Sequence, residues 1–198
     1  MVVPPKARVK RKTFAARGDL LDRLGKVASE RGYSLYALIN EVFEMFLRAE
    51  EVNVNFREVL EDYVAVKRAR EAGFILELES LCYDMADLAY QGARDEAVKR
   101  WFEAGVWFAK RYAAGAVGDG FWEGFERYLK SLLWNVQEFE VEGDGSRVSL
   151  RVLSPRFSEA YTILFTAFLE GCLTALGYRS TFREVFRGRI FLEASRVK

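Results

Sequence analysis

The chain has 198 residues, of which 51% are hydrophobic, 30% are charged and 15% are aromatic, so it can form an ordinary domain with a real core and a smaller second one. It contains no histidine and only two cysteines. The usual neutral-pH general base, the triads built on it and the commonest zinc ligand are therefore missing. We expect no enzyme activity, no metal and no other cofactor.

The formal net charge of +1 is distributed unevenly. Residues 1–50 carry ten basic and six acidic side chains, a net charge of +4 (10 − 6), and the remainder carries twenty and twenty-three, a net charge of −3 (20 − 23). Residues 1–17 contain six basic side chains and no acidic one. This asymmetry indicates that only the N-terminal segment meets a polyanion.

The cysteines and the apolar segments indicate the compartment. Cys82 and Cys172 are far apart and lie among apolar neighbours, which is typical of small core residues rather than of a disulfide. The N-terminus is basic without a following apolar run, and charges interrupt the longest apolar stretches. We therefore expect a cytoplasmic protein with no membrane partner.

The first element in the chain is a basic strand that begins near Val9, in "VKRKTFAAR". From residue 11 to residue 17 the side chains alternate, with Phe14 and Ala16 on one face and Arg11, Thr13 and Ala15 on the other. A single strand leaves its backbone donors and acceptors unpaired, and the nearby sequence offers no second strand. The strand therefore needs a partner from elsewhere.

Two amphipathic helices follow this strand. The segment "GDLLDRLGKVASERG" has apolar residues at helical spacing, and Gly32 is placed to end the helix. The segment "YSLYALINEVFEMFL" begins again at Ser34, a good N-cap. Its apolar stripe consists of Leu35, Leu38, Ile39, Val42, Phe43 and Phe46.

Residues 8–48 together resemble the ribbon-helix-helix DNA-binding domain of archaeal and bacterial repressors. The resemblance depends on the basic strand, on "LLDRLGKVA" and on "GYSLYALI", which matches the family's G-x-S-x-x-x-L-I pattern. It implies an obligate homodimer formed through residues 8–48, in which the strand pairs antiparallel with its copy. The two-stranded ribbon would then enter the major groove of double-stranded DNA.

The resemblance also implies roles for individual side chains. The base-contacting residues would be Arg11, Thr13 and Ala15. The phosphate-contacting residues would be Lys6, Arg8, Lys10, Lys12 and Ser34, the last at the start of a helix whose free amides favour an anion. Two alternatives remain. In the first, the strand is shifted by one residue, which would make Lys10 and Lys12 the base-contacting residues. In the second, the segment is a basic tail followed by an ordinary helical hairpin.

A helical segment is expected to connect this head to the rest of the chain. After the extended stretch "VNVNF", residues 57–92 have a helical pattern with a break near Gly73. The face that contains "KRAREAG" is strongly charged. This connector, which we place at residues 51–93, either couples or dimerises the two domains or is a solvated helix.

The pattern from residue 94 to residue 198 predicts helices at 95–113 and 120–133, a β-hairpin, an apolar helix and a second hairpin around Arg187 and Gly188. We expect an α+β fold in three parts, with the DNA-binding head at residues 1–50, the connector at 51–93 and an α+β domain at 94–198. In that domain antiparallel hairpins would pack on helices.

The third part resembles the 4-vinyl-reductase-type sensor domain, which shares its fold with the TRAPP vesicle-tethering subunits. The resemblance depends on "WFEAGVWFAKRY", "AFLEGCLTALGY" and "FREVFRGRIFLEA", and on the first hairpin. Gly171 is expected to let the apolar helix approach the sheet closely. The resemblance implies a small-molecule pocket, with candidate lining residues Trp101, Phe108, Phe125, Phe165, Phe168 and Cys172. The last hairpin lacks the cysteines of the metal-binding members.

These expectations lead to two functional hypotheses. The first is a homodimeric DNA-binding transcriptional regulator whose C-terminal sensor domain binds a small hydrophobic or aromatic effector. The second is a DNA-anchored protein-interaction scaffold with a TRAPP-like body and no ligand. An antitoxin is disfavoured because its toxin-binding tail is usually short and disordered, whereas this body has a substantial predicted core.

Overall fold

The computed structural model describes residues 12–71, 73–115 and 120–197. The chain divides into two compact units, Met1–Leu60 and Glu61–Lys198, so the division lies within the segment expected to be the connector. The described helices are α1 (Gly18–Glu30), α2 (Leu35–Glu51), α3 (Phe56–Glu71), α4 (Glu79–Gly115), α5 (Phe121–Leu132) and α6 (Glu159–Ala175). The strands are β1 (Glu138–Gly143), β2 (Arg147–Leu153), β3 (Tyr178–Phe186) and β4 (Arg189–Arg196). The predicted α+β class is confirmed.

The first unit contains the predicted pair of helices. Gly32 has φ +71° and closes α1, where the backbone N–H of Tyr33 donates to the carbonyl oxygen of Ala28 at 2.8 Å. The Ser34 hydroxyl oxygen accepts a hydrogen bond from the backbone N–H of Ala37 at 3.1 Å and so caps α2. Residues 12–17 form neither helix nor strand, so the ribbon strand itself is not confirmed.

The predicted break near Gly73 is confirmed, but the next helix boundary differs from the prediction. Gly73 has φ +87° and follows the end of α3. The next helix, α4, then continues from residue 79 to residue 115 where the sequence predicted a boundary at 92–95, and only a kink at Ala93 (φ −153°, ψ 57°) marks that point. No proline lies between residues 71 and 115, so nothing there removes a helical hydrogen-bond donor.

Both predicted hairpins are confirmed, and they join into one antiparallel sheet with strand order β1-β2-β4-β3. Their apolar side chains alternate toward one face, which is fully buried at Leu150, Val152, Ile190 and Leu192. Against the buried face, α5 packs on β1 and α6 packs on β3 and β4. The second unit therefore has a sheet and helices around one apolar core.

The helix α6 is buried along most of its length and contacts α4 more extensively than any other element. Two glycines make this approach possible. A Cβ atom on Gly171 would lie 2.1 Å from the carbonyl oxygen of Phe102, and one on Gly105 would lie 1.9 Å from that of Phe168. The expectation that Gly171 faces the sheet was therefore wrong, because the backbone that it approaches belongs to α4.

The length and hydropathy of the helices also bear on membranes. The most apolar of them, α6, has 17 residues, fewer than the roughly 20 that usually cross a bilayer. Within the described ranges, no helix combines sufficient length and apolar character to span a membrane.

Candidate nucleic-acid interface

The segment before α1 carries two of the three predicted base-contacting residues. Thr13 and Ala15 are exposed, whereas Arg11 lies outside the described residues. Between them, the ring of Phe14 contacts that of Phe43 on α2, with centroids 5.4 Å apart in an edge-to-face arrangement. In an extended segment, a Phe14 that faces α2 leaves Thr13 and Ala15 on the opposite side. This contact supports the register in which Phe14 faces inward.

The predicted phosphate contacts fall into two groups. Lys6, Arg8 and Lys10 lie outside the described residues, and Lys12 is exposed. Ser34 is exposed at the start of α2, whose first turn contains no acidic residue. The partial positive charge at this helix end is therefore not neutralised by a side chain of its own first turn.

The most informative feature of the first unit is an open apolar face on α2. Val42, Phe43, Met45, Phe46 and Leu47 are between 44% and 60% exposed. Among the described hydrophobic residues up to residue 60, only Ala28 and Leu38 are buried. Small domains bury proportionally little surface and are only marginally stable. An exposed apolar patch of this kind is typical of a binding surface.

Beside this face lies an open groove of about 710 Å³, which the sequence analysis missed. Phe46, Val54, Phe56 and Leu60 supply its apolar lining, and Arg57 is among its polar residues. The groove forms where the chain turns from α2 into α3, and its only sequence signal is the short stretch "VNVNF". Its lining combines apolar and polar side chains.

The structure brings the six predicted pocket residues together in the second unit. Phe108, Phe125, Phe165 and Cys172 are at most 3% exposed. The ring centroid of Phe108 lies 6.1 Å from that of Phe125 and 5.5 Å from that of Phe168. The Phe168 ring in turn stacks on the Phe165 ring, with their centroids 5.7 Å apart. Rings that contact one another in this way act as core packing for each other.

The two remaining predicted pocket residues, Trp101 and Cys172, also pack against neighbouring groups. The Trp101 ring meets that of Tyr161 with centroids 5.2 Å apart, and the Cys172 thiol donates to the carbonyl oxygen of Gly105 at 3.3 Å. Burial raises the pKa of the Cys172 thiol, which makes the thiol a poor nucleophile at neutral pH. None of the six residues lines the groove described above.

A polar network that the sequence did not predict lies at the start of α4. The Tyr83 hydroxyl donates to a carboxylate oxygen of Glu79 at 2.7 Å and accepts from the amide of Asn135 at 2.9 Å. Burial raises the pKa of Tyr161, whose ring packs on that of Tyr83, to about 12. These phenols are therefore neutral hydrogen-bonding groups.

In the described part of the chain, no three potential metal ligands are grouped to hold an ion.

The second unit also exposes an apolar stripe that the sequence analysis missed. Ile75, Leu76 and Leu78 are 74% to 83% exposed, and α4 continues the stripe with Leu81, Met85 and Leu88 at 47% to 63%. We call these six residues the α4 stripe. Residues 71–93 contain five acidic and no basic side chains, so the stripe lies in an acidic surround.

In comparisons with known proteins, no family model and no curated protein sequence matches this chain. The two family resemblances therefore depend on the residue patterns themselves.

Proposed function

We propose that this protein is a homodimeric, DNA-binding transcriptional regulator whose N-terminal segment reads duplex DNA. The observation that carries the proposal is the open face of α2, where large apolar side chains stay exposed. Among the described residues of the unit, only two hydrophobic ones are buried. A second copy of the same face covers it in a closed two-fold dimer. The six basic side chains of residues 1–17 then supply the charge that phosphates attract.

In this dimer the two N-terminal segments pair as antiparallel strands and fill the major groove. Arg11 donates a fork of hydrogen bonds to a guanine edge, Thr13 bonds a base edge or touches a thymine methyl group, and Ala15 makes apolar contact. Lys12 and the start of α2 at Ser34 hold neighbouring phosphates.

The dimer is tested by placing a charge on the open face. Phe46 is 49% exposed, so a lone protomer tolerates lysine there, whereas a covered face does not. We expect Phe46→Lys to lower the helix content of the first unit and to abolish DNA binding. The matched control is Phe186→Lys in the second unit, where the phenylalanine is 63% exposed. Equal DNA binding and helix content in both variants would contradict the proposed dimer.

DNA reading is tested with a duplex that the wild-type protein selects from a random-sequence library. Binding to it should weaken steeply with salt, because each neutralised phosphate releases counterions. Arg11→Ala should cost about 1–3 kcal/mol on the selected duplex and less on unselected duplexes. Lys12→Ala should weaken binding to all duplexes alike. If the library yields no enriched sequence, the head is only an anchor.

A second candidate function, the DNA-anchored interaction scaffold, is favoured by the α4 stripe. Six large apolar side chains exposed in an acidic surround suit a protein partner with basic flanks. The effector-binding alternative requires space among Phe108, Phe125, Phe165 and Phe168, whose rings contact one another.

Mass spectrometry of a solvent extract of the native protein separates the two hypotheses for the second unit. A stoichiometric apolar compound would favour the sensor. A blank extract, with no thermal shift on addition of an aromatic ligand library, would favour the scaffold.

A further inference from the structure

We propose that α3 is a second self-association surface, through which two copies of the chain pair in antiparallel orientation. This inference goes beyond DNA binding and does not depend on the dimer proposed for residues 8–48. It rests on the exposed apolar face of α3 and on the order of the charges along its border.

One face of α3 is apolar and open. Leu60, Tyr63 and Val64 are 53%, 65% and 45% exposed, and their spacing of three and four residues places them on one side of the helix. Lys67 continues this face by one turn and can lay its aliphatic stem on it. The helix buries a different side, where Ala69 is only 5% exposed.

The charges beside this face are self-complementary. Glu61 and Arg68 are both exposed and lie seven residues apart, about two helical turns, so they share one edge of the face. If two copies of α3 pair antiparallel about residues 64 and 65, Glu61 of each copy lies opposite Arg68 of the other. The two-fold axis makes this ion pair twice.

In a parallel pair the two-fold axis would run along the helices. The edge with Glu61 and Arg68 would then lie on opposite sides of the two copies, and neither ion pair could form. The order of charges therefore selects the antiparallel orientation. It also selects a second copy of the chain as the occupant, because this helix supplies both members of each ion pair.

The closing experiment begins with disulfide trapping in the full chain. In the antiparallel pair, Val64 lies beside its own copy, within the Cα separation that a disulfide requires. We expect Val64→Cys to form a covalent dimer under mild oxidation. Asp62→Cys is the matched control, because Asp62 is also exposed but lies on the other side of the helix. Wild type, with its half-buried Cys82 and buried Cys172, gives the baseline.

Charge exchange then tests the register. In the Val64→Cys chain, Glu61→Arg or Arg68→Glu alone should lower the rate of disulfide formation by about tenfold, since each replaces two attractions by two repulsions. The two changes together should restore the rate. A double variant that is no faster than either single variant would overturn the proposal, as would equal trapping of Val64→Cys and Asp62→Cys.

A last variant separates this surface from the dimer proposed for the first unit. Phe46→Lys acts on the first unit, whereas Val64 belongs to the second unit. Val64→Cys should therefore still be trapped in the Phe46→Lys chain when the protein concentration is raised. Loss of trapping at every concentration would show that α3 has no association of its own and would overturn the inference.

Discussion

Replacement of Gly171 by alanine should separate the two helices at the centre of the second unit. The new Cβ atom would lie 2.1 Å from the carbonyl oxygen of Phe102, whereas ordinary contacts begin at 3.4 Å. The backbones of α4 and α6 must therefore move apart locally by 1.3 Å (3.4 − 2.1). The obstacle is main chain, so no side-chain rotation can relieve it.

Overpacking of a core usually costs about 1–3 kcal/mol, and occasionally more. For Gly171→Ala we expect about 3 kcal/mol, the upper end of that range, because Gly105 makes a reciprocal close contact with Phe168 between the same two helices. A loss of that size lowers the Tm of a domain of this length by about 6–12 °C. Unfolding followed by tryptophan fluorescence measures it, since Trp101, Trp107, Trp122 and Trp134 all belong to the second unit.

The matched control is Gly92→Ala, also in α4. A Cβ atom there meets no heavy atom within 4 Å, and alanine is the better helix former by roughly 0.5–1 kcal/mol. We expect this control to be as stable as wild type or slightly more stable. If Gly171→Ala unfolds within about 1 kcal/mol of the control, the close approach of α4 and α6 is wrong.

Three further predictions concern titratable groups. The Asp144 carboxylate accepts backbone N–H bonds from Ser146 and Arg147, each 2.8 Å long, which lowers its pKa to about 2. Its stabilising effect is present at neutral pH and is lost as the pH falls toward 2, so wild type and Asp144→Asn should differ in urea unfolding at pH 7 and converge near that pH. Burial raises the pKa of Tyr161 to about 12. The native state should therefore lose stability as the pH rises from about 10 to 12, and Tyr161→Phe should lose less over that range in alkaline unfolding. Cys172 is 0% exposed and burial raises its pKa, so a thiol reagent at pH 8 should label Cys172 only after denaturation, as peptide mapping would show.

Features set by neighbouring residues were predicted well from the sequence. Gly32 and Ser34 mark the end of α1 and the start of α2 because a left-handed glycine and a capping hydroxyl act on the backbone within a few residues. The hairpins around Asp144 and Gly188 were predicted for the same reason, since alternation and turn residues are local signals. The break at Gly73 belongs to this group.

Features that depend on distant contacts were predicted less well. The position of Gly171 in an apolar helix indicates a close approach, yet periodicity does not say whether the approaching backbone is sheet or helix. The kink at Ala93 was likewise expected to be a helix boundary. For the candidate site, the sequence grouped Phe108, Phe125 and Phe165 as pocket residues, and the structure places all three in one core cluster. Whether such rings enclose a ligand or fill the space themselves depends on how tightly they pack.

The incomplete core of the first unit has the same physical origin. The sequence predicted one apolar stripe on α2. Helical periodicity identifies such a stripe, but it does not show which of its residues are buried within a single protomer. The structure divides the stripe, because Leu38 is 4% exposed whereas Phe46 is 49% exposed. The covered part stabilises the packing of α1 on α2, and the open part is the surface that the proposed dimer would bury. In the proposed dimer, pairing of the two basic segments would bring two such faces together. One interface would then supply backbone partners for the basic segment and cover the open part of α2.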